Sequence, residues 1–320
     1  MPVNWNSPRY VETNGIRMAV HEQGAGVPVV MCHGFPELAY SWRHQIPALA
    51  AAGFRAIAPD QRGYGLTDRP QPIEAYDIHQ LTGDLVGLLD ALKIDKAVFA
   101  GHDWGGIVTW AMPLLHPTRV AGVIGVNTPF LPRAPMDPIA LMRAAFGDDM
   151  YIVFFQKPGA ADALLAEDVA KTIRFFYRKT GLTPEEFDKR PPEERNLALV
   201  RALAADEGLW PGEQVLRRDE LEVYVEAFTR TGFTGGINWY RNFTRNWRTT
   251  EGIAQKIDVP CLMVMAANDI VLRPSMTAGM ESYIPDLEKH LIKDCGHWTQ
   301  SEQPEELNRV MIDWLKRRFG

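Results

Sequence analysis

Between Val27 and Asn127 the chain repeats one pattern, a short apolar run of strand length followed by a longer segment with helical periodicity. The strand-like runs are VPVVMCH (27–33), RAIAPD (55–60), KAVFAGH (96–102) and VAGVIGVN (120–127). The helical segments are residues 40–52, interrupted by Pro47, then IHQLTGDLVGLLDALKI (78–94) and WGGIVTWAMPLLH (104–116). Strand–helix–strand connections make neighbouring strands parallel and lay the helices on the sheet faces. The alternation therefore predicts an α/β fold, with a mostly parallel sheet and helices on both faces. Ahead of it, RYVETNGIRMAVHEQG has strand-like segments flanking Asn14-Gly15, a dipeptide suited to positive φ, and predicts a hairpin.

The alternation stops near Pro129. From there to about Asn246 the patterns are helical: PIALMRAAFG, ADALLAEDVAKTIRFFYRK, TPEEFDKR and RDELEVYVEAFTRTG, with a Pro- and charge-rich stretch at Pro191-Pro192-Glu193-Glu194-Arg195. Strands resume with VPCLMVMAA (259–267) and KHLIKD (289–294), and the chain closes on the helix PEELNRVMIDWLKRRF. That helix has acidic residues at its start and Lys316, Arg317 and Arg318 at its end, which suits the helix dipole. The expected organisation is a core of residues 1–130 and 246–320, carrying an inserted helical cap at 131–245. An active site would form at the carboxyl ends of the core strands, beneath the cap.

With 46% hydrophobic residues in 320, the chain has the apolar content for a large core plus an insertion. A net charge of −6 and no basic run point away from nucleic acid and from anionic membranes. The opening MPVNWNSPRYVETNG has no apolar region typical of a secretory signal, and no stretch approaches the roughly 18 apolar residues of a membrane span. Cys32, Cys261 and Cys295 form an odd, sparse set, read as reduced thiols in a cytoplasmic protein.

Chemistry concentrates in Gly101-His102-Asp103-Trp104-Gly105-Gly106, between a strand and a helix. Small residues at a sharp strand-to-helix turn match a nucleophile elbow, with Asp103 where serine commonly stands. A carboxylate that displaces at a saturated carbon leaves an ester, which can be hydrolysed. A serine at the same carbon would leave an ether, which the site could not cleave. The elbow therefore points to epoxides or alkyl halides and to two-step covalent catalysis. The competing reading makes Asp103 an ordinary helix N-cap.

His297, in Asp294-Cys295-Gly296-His297-Trp298 after the last strand, is the expected base, and Asp269, after CLMVMAAN, is placed to orient it. Asp286 and Asp294 are weaker candidates, the first in a Pro-containing turn and the second in or against its strand. His21, His44, His79, His116 and His290 match no ligand spacing, and His102 is expected to point away from the site. No Cys/His cluster implies a metal. In α/β-hydrolases a loop after an early strand supplies one oxyanion N–H, and the residue after the nucleophile supplies another. The loop His33-Gly34-Phe35-Pro36 would thus make Phe35 and Trp104 the donors. That loop signal is weak when taken alone.

From about Arg9 to Phe319 the chain resembles the soluble epoxide hydrolases of the α/β-hydrolase fold. The resemblance rests on HGFPELAYSWRHQIPAL, D-Q-RGYG at Asp60–Gly65, GHDWGG, NTPFLPR at Asn127–Arg133, GINWYRN at Gly236–Asn242, ANDIVL at Asn268–Leu272 and DCGHWTQ at Asp294–Gln300. It implies two cap tyrosines over the nucleophile, at Tyr151 in DDMYIVFFQKPG and Tyr240 in NWYRN, hydrogen-bonding the epoxide oxygen. Sequence alone would make either tyrosine a packing residue. The resemblance further implies a small apolar epoxide and water as substrates, contacts to them from Tyr151, Tyr240, Trp104 and Phe35, and no cofactor. Two other readings stay open. A haloalkane dehalogenase also uses an Asp elbow and could use the Trp104 indole for halide. A non-catalytic receptor could retain the fold and the pocket.

Overall fold

The computed structural model describes residues 3–5, 7–179, 181–191, 194–195 and 197–320. Met1, Pro2 and Asn6 of the N-terminal segment, and Pro192 and Glu193 of the charge-rich stretch, lie outside the described residues. The strands are β1 (Arg9–Thr13), β2 (Ile16–Gln23), β3 (Pro28–Cys32), β4 (Arg55–Pro59), β5 (Ala97–His102), β6 (Val120–Val126), β7 (Cys261–Ala266) and β8 (Leu287–Ile292). They form one sheet in the order β1-β2-β4-β3-β5-β6-β7-β8. The hairpin β1–β2 turns at Asn14-Gly15, both at positive φ, and joins β4 antiparallel; every other pairing is parallel.

Residue alternation explains how the sheet buries both faces. Val30, Cys32, Ile57, Phe99 and Val123 pack with Leu85, Leu88, Val108 and Met112 on one side. Val29, Met31, Ala58, Val98 and Ile124 pack with Ile46, Leu49, Met311 and Trp314 on the other. Each large aliphatic chain fully buried this way contributes roughly 1.5–3 kcal/mol. The expected fold class therefore holds. Among the described residues, no helix is long and apolar enough to cross a membrane.

Between β6 and β7 the described residues form helices and two isolated bridges, with no strand. The stretch ADALLAEDVAKTIRFFYRK (161–179), read as one helical pattern, falls into two helices, Ala160–Glu167 and Val169–Phe176. Asp168 breaks them: its backbone is extended, and its side chain caps the second helix through the Lys171 N–H. Two further helices, Thr234–Arg241 and Phe243–Thr249, are not among the helical segments expected from the sequence. Gly235 and Gly236 weaken the first locally, yet close packing needs them. A Cβ on Gly235 would overlap the Gly63 backbone, and one on Gly236 would strike Tyr64 and Phe35. These contacts dock the Tyr240 helix onto the core.

The last strand is displaced from its expected position. β8 ends at Ile292, so Asp294 lies beyond it, exposed and at φ 50°, not within the strand.

Candidate active site

The strand order reverses at β3, with β4 on one side and β5 on the other, so the loops after β3 and β5 meet at a switch point of the sheet. There β5 delivers Asp103 at φ 50°, ψ −123°, immediately before the helix Trp104–Leu115. Such a backbone costs about 1–3 kcal/mol and persists only where its surroundings enforce it. They do: the Thr128 hydroxyl donates to the Asp103 carbonyl at 2.8 Å. A Cβ on Gly105 would collide with the Cys32 carbonyl, and one on Gly34 with the Asp103 side chain.

The Asp103 carboxylate makes no N-cap hydrogen bond, so the helix-capping alternative does not describe it. Instead its Oδ1 accepts the Phe35 N–H at 2.8 Å. The Trp104 N–H, first amide of the helix, takes no protein acceptor among the described residues. Burial raises the Asp103 pKa, with His297, His102 and the Phe35 N–H pulling the other way.

His297 comes from the loop after β8. Its Nδ1 lies 2.9 Å from Asp269 Oδ2, and its Nε2 3.8 Å from Asp103 Oδ2, beyond hydrogen-bond length. Asp269 is fully buried and fully satisfied. Oδ1 accepts the Val271 and Leu272 N–H groups, and Oδ2 accepts from Asn127 at 2.8 Å. Burial disfavours its charge, but His297 and these donors hold its carboxyl well below the usual carboxylate range. For His297, burial also opposes the charge, yet Asp269, and then Asp103 and Glu37, push its pKa up to about 9. The Nδ1–H···Asp269 bond leaves Nε2 facing Asp103.

Sequence reasoning missed a second layer. Asn127, at φ 60°, also faces the Gly296 and His297 carbonyls, and its own carbonyl accepts from Thr299 at 2.6 Å. Glu37, fully buried, accepts from the Gly34 N–H at 2.8 Å, contacts His102 Nδ1 at 2.6 Å and accepts from Gln300 at 3.2 Å. His102 Nε2 in turn meets the His297 carbonyl at 2.7 Å. His102 does point away from the cavity, as expected, but it clamps both the Phe35 loop and the His297 loop. Burial raises the Glu37 pKa, and His102 more than offsets this. Removing one partner of a buried charged pair costs about 3–5 kcal/mol. Glu37→Gln is expected to lower unfolding stability by about 3 kcal/mol. Denaturant unfolding checks this, and a change within about 0.5 kcal/mol would deny the clamp, being ordinary for an inconsequential site.

Tyr151 opens the helix Tyr151–Phe154, and Tyr240 lies near the end of Thr234–Arg241. Their rings meet edge to face at 5.9 Å. Both line a cavity of about 540 Å³ with Phe35, Asp103, His297 and Trp298. Burial, reinforced by the Asp103 charge, pushes both phenols above their usual range, so they remain proton donors. The Trp104 indole packs behind Tyr240 at 5.1 Å and lines a separate apolar cavity, not the one holding Asp103. Asp286 pairs with Arg318 at the surface, and Asp294 is exposed, so neither joins the site. Among the described residues no group of His, Cys, Asp and Glu could hold a metal ion.

A family model described as the alpha/beta hydrolase fold matches residues 27–304. "Epoxide hydrolase A" of Mycobacterium tuberculosis is 46% identical over 324 residues, covering 96% of each chain. "Bifunctional epoxide hydrolase 2" of Sus scrofa is 42% identical across 94% of this chain, but the match covers 54% of that protein, so this chain spans about half of it. The crystal structure of Epoxide Hydrolase A from Mycobacterium thermoresistibile superposes with a TM-score of 0.86 at 44% identity, covering 97% of this chain and 98% of that one. Given such identity over nearly the whole length, the chain belongs to the epoxide hydrolases of the α/β-hydrolase fold.

Proposed function

We propose that this protein hydrolyses epoxides to vicinal diols through a covalent ester on Asp103. The observation that carries the reading is a carboxylate at the elbow, already holding the Phe35 N–H and facing His297 beneath two phenols. Asp103 attacks one ring carbon, and the C–O bond to that carbon breaks. Tyr151 and Tyr240 hydrogen-bond the departing oxygen and supply its proton, which lowers the barrier to expelling an alkoxide. His297, oriented by Asp269, then takes a proton from water as it adds to the ester carbonyl. The Phe35 and Trp104 N–H groups stabilise the resulting oxyanion. Collapse releases the diol and restores the Asp103 carboxylate, and the proton taken up by His297 returns to the phenolate left by ring opening.

We place this chemistry in a core of residues 1–130 and 246–320 under a cap of residues 131–245. The substrate is a small apolar epoxide, the only co-substrate is water, and no cofactor takes part. The three buried free thiols fit a reducing, cytoplasmic setting.

The test is diol formation from a panel of aryl, aliphatic and lipid epoxides, run beside bromide release from bromoalkanes. Diol from at least one epoxide, faster than any bromide release, is expected; faster bromide release would make the protein a dehalogenase. No turnover of either class would favour a receptor.

Tyrosine variants separate the two electrophiles further, because a halide needs no acid to leave. Losing a sole oxyanion donor costs on the order of 10²-fold. With two phenols sharing the load, Tyr151→Phe and Tyr240→Phe should each cost less, and the double variant at least that much. Alkylation should slow while breakdown of preformed ester changes little. A double variant that alkylates at the wild-type rate would make both tyrosines packing residues.

A further inference from the structure

His297 has no regular element of its own. It sits in the loop between β8 and the helix Thr299–Glu302, and its two neighbours, Gly296 and Trp298, are buried. Ester breakdown asks two things of it at once. Nδ1 must stay on Asp269, and Nε2 must face Asp103 with room for a water. A loop can meet both demands only if its backbone is fixed on each side of the imidazole.

The carbonyls of that loop are fixed by groups already described. Asn127 faces the Gly296 and His297 carbonyls, and His102 meets the latter. The amides are fixed by a different residue. Glu302 divides its two carboxylate oxygens between the residues that flank His297. Oε2 accepts the Gly296 N–H at 2.8 Å, and Oε1 accepts the Trp298 N–H at 2.9 Å. Neither N–H has a backbone acceptor among the described residues. The Trp298 side chain is engaged elsewhere: its indole N–H donates to the Phe176 carbonyl at 2.6 Å, and its ring stacks on Tyr177 at 4.1 Å. Burial raises the Glu302 pKa, while the Gly296 and Trp298 N–H groups, then His297 and Lys179, pull the other way.

One carboxylate thus brackets the base of the second step. We propose that Glu302 is a positioning residue for His297, holding the loop so that Nε2 is aimed at the water that cleaves the Asp103 ester. Glu302 does not line the Asp103 cavity, so it acts through the His297 loop. Ring opening uses Asp103, Tyr151 and Tyr240, none of which Glu302 holds. Its effect is therefore confined to ester breakdown. This role rests on the covalent-ester reading of Asp103 given above.

The test follows the two steps separately in Glu302→Gln. Glutamine keeps the shape but replaces one acceptor oxygen with an NH2 group, which cannot accept from the N–H it faces. A misplacement of about 1 Å in a catalytic group can cost on the order of 10²-fold, and one of the two bonds survives here, so ester decay should slow by roughly 10-fold. Alkylation of Asp103 should change little. Rapid-quench sampling with mass spectrometry of the Asp103 peptide reads both rates. Decay is followed on molecules that have already been alkylated, so a fraction of unfolded variant does not enter it. Glu302→Asp keeps both acceptors and the charge, and should recover part of the loss. Ester decay at the wild-type rate in Glu302→Gln, equal slowing of both steps, or an aspartate variant no better than glutamine would each overturn the proposal while leaving the epoxide chemistry intact. If wild-type diol takes its new oxygen fully from labelled water in the first turnover, the covalent reading itself fails and this inference falls with it.

Discussion

Asp103→Ala should abolish turnover, with kcat falling by at least about 10⁴-fold, as when the nucleophile of a covalent hydrolase is removed. The size follows from the site: among the described residues, Asp103 is the carboxylate that lies beside His297 and the two phenols, with its charge not already committed to another side chain as that of Asp269 is. His297 cannot substitute, because its Nδ1 is bound to Asp269 and its pKa near 9 keeps it largely protonated at neutral pH. The fold should survive. Burial raises the Asp103 pKa, so its charge is a net cost to the folded state above the unfolded carboxyl pKa, and alanine removes that cost. Steady-state kinetics and thermal unfolding check both statements. Residual activity above about 1% of wild type would show that water attacks the epoxide directly, since that loss is far short of the expected scale.

His297→Gln should leave the first step and stop the second. The substrate would still alkylate Asp103, but the ester would persist because no base activates water. Steady-state turnover should drop by about 10⁴-fold, the scale seen for a lost triad member. Intact-protein mass spectrometry should find an adduct on the peptide carrying Asp103. Absence of an adduct, with substrate demonstrably bound, would assign His297 a different role.

The pH dependence of the wild-type enzyme follows from the same electrostatics. Asp269, Asp103 and Glu37 together push the His297 pKa up to about 9. Forming the ester removes the Asp103 charge, so His297 becomes a weaker base just as it must become a neutral one. Ester breakdown should therefore titrate with an apparent pKa below about 9, slowing as pH falls through it, whereas ester formation does not require neutral His297. Stability carries the opposite sign. A His pKa raised in the folded state stabilises the protein fully below about 6.5, and this contribution is lost as pH rises to about 9.

Much of this arrangement is legible in the amino-acid sequence. The strands betrayed themselves because runs such as VPVVMCH and KAVFAGH are apolar on both faces, and their observed limits fall within two residues of those expected. Asp103, Asp269 and His297 are legible because each lies on the loop or turn after a strand, and strand ends in such a sheet share one rim. The helical stretch between β6 and β7 is less legible. Its helices are short and broken by caps such as Asp168, and the helix bearing Tyr240 carries two glycines in its first turn, which allow close docking against Gly63 and Tyr64. Both tyrosines came from resemblance, since nothing in local periodicity sets a catalytic phenol apart from a packing one.

The Glu37–His102 clamp was invisible for a different reason. Its partners lie 65 residues apart, and their pairing depends on β3 and β5 being neighbours in the sheet. Asn127 is similar: its role appears only once β6 lies beside β7 and the Asp269 loop folds over it. Sequence reveals residues whose local setting is distinctive, whereas supporting residues are defined by neighbours that the fold supplies.

The most direct test of the central claim is a single turnover with enzyme in excess, run in oxygen-labelled water. If Asp103 forms the ester, the diol's new oxygen comes from the Asp103 carboxylate, so the first diol is unlabelled and the label appears in the enzyme. Diol fully labelled in that first turnover, with none in Asp103, would contradict the covalent mechanism.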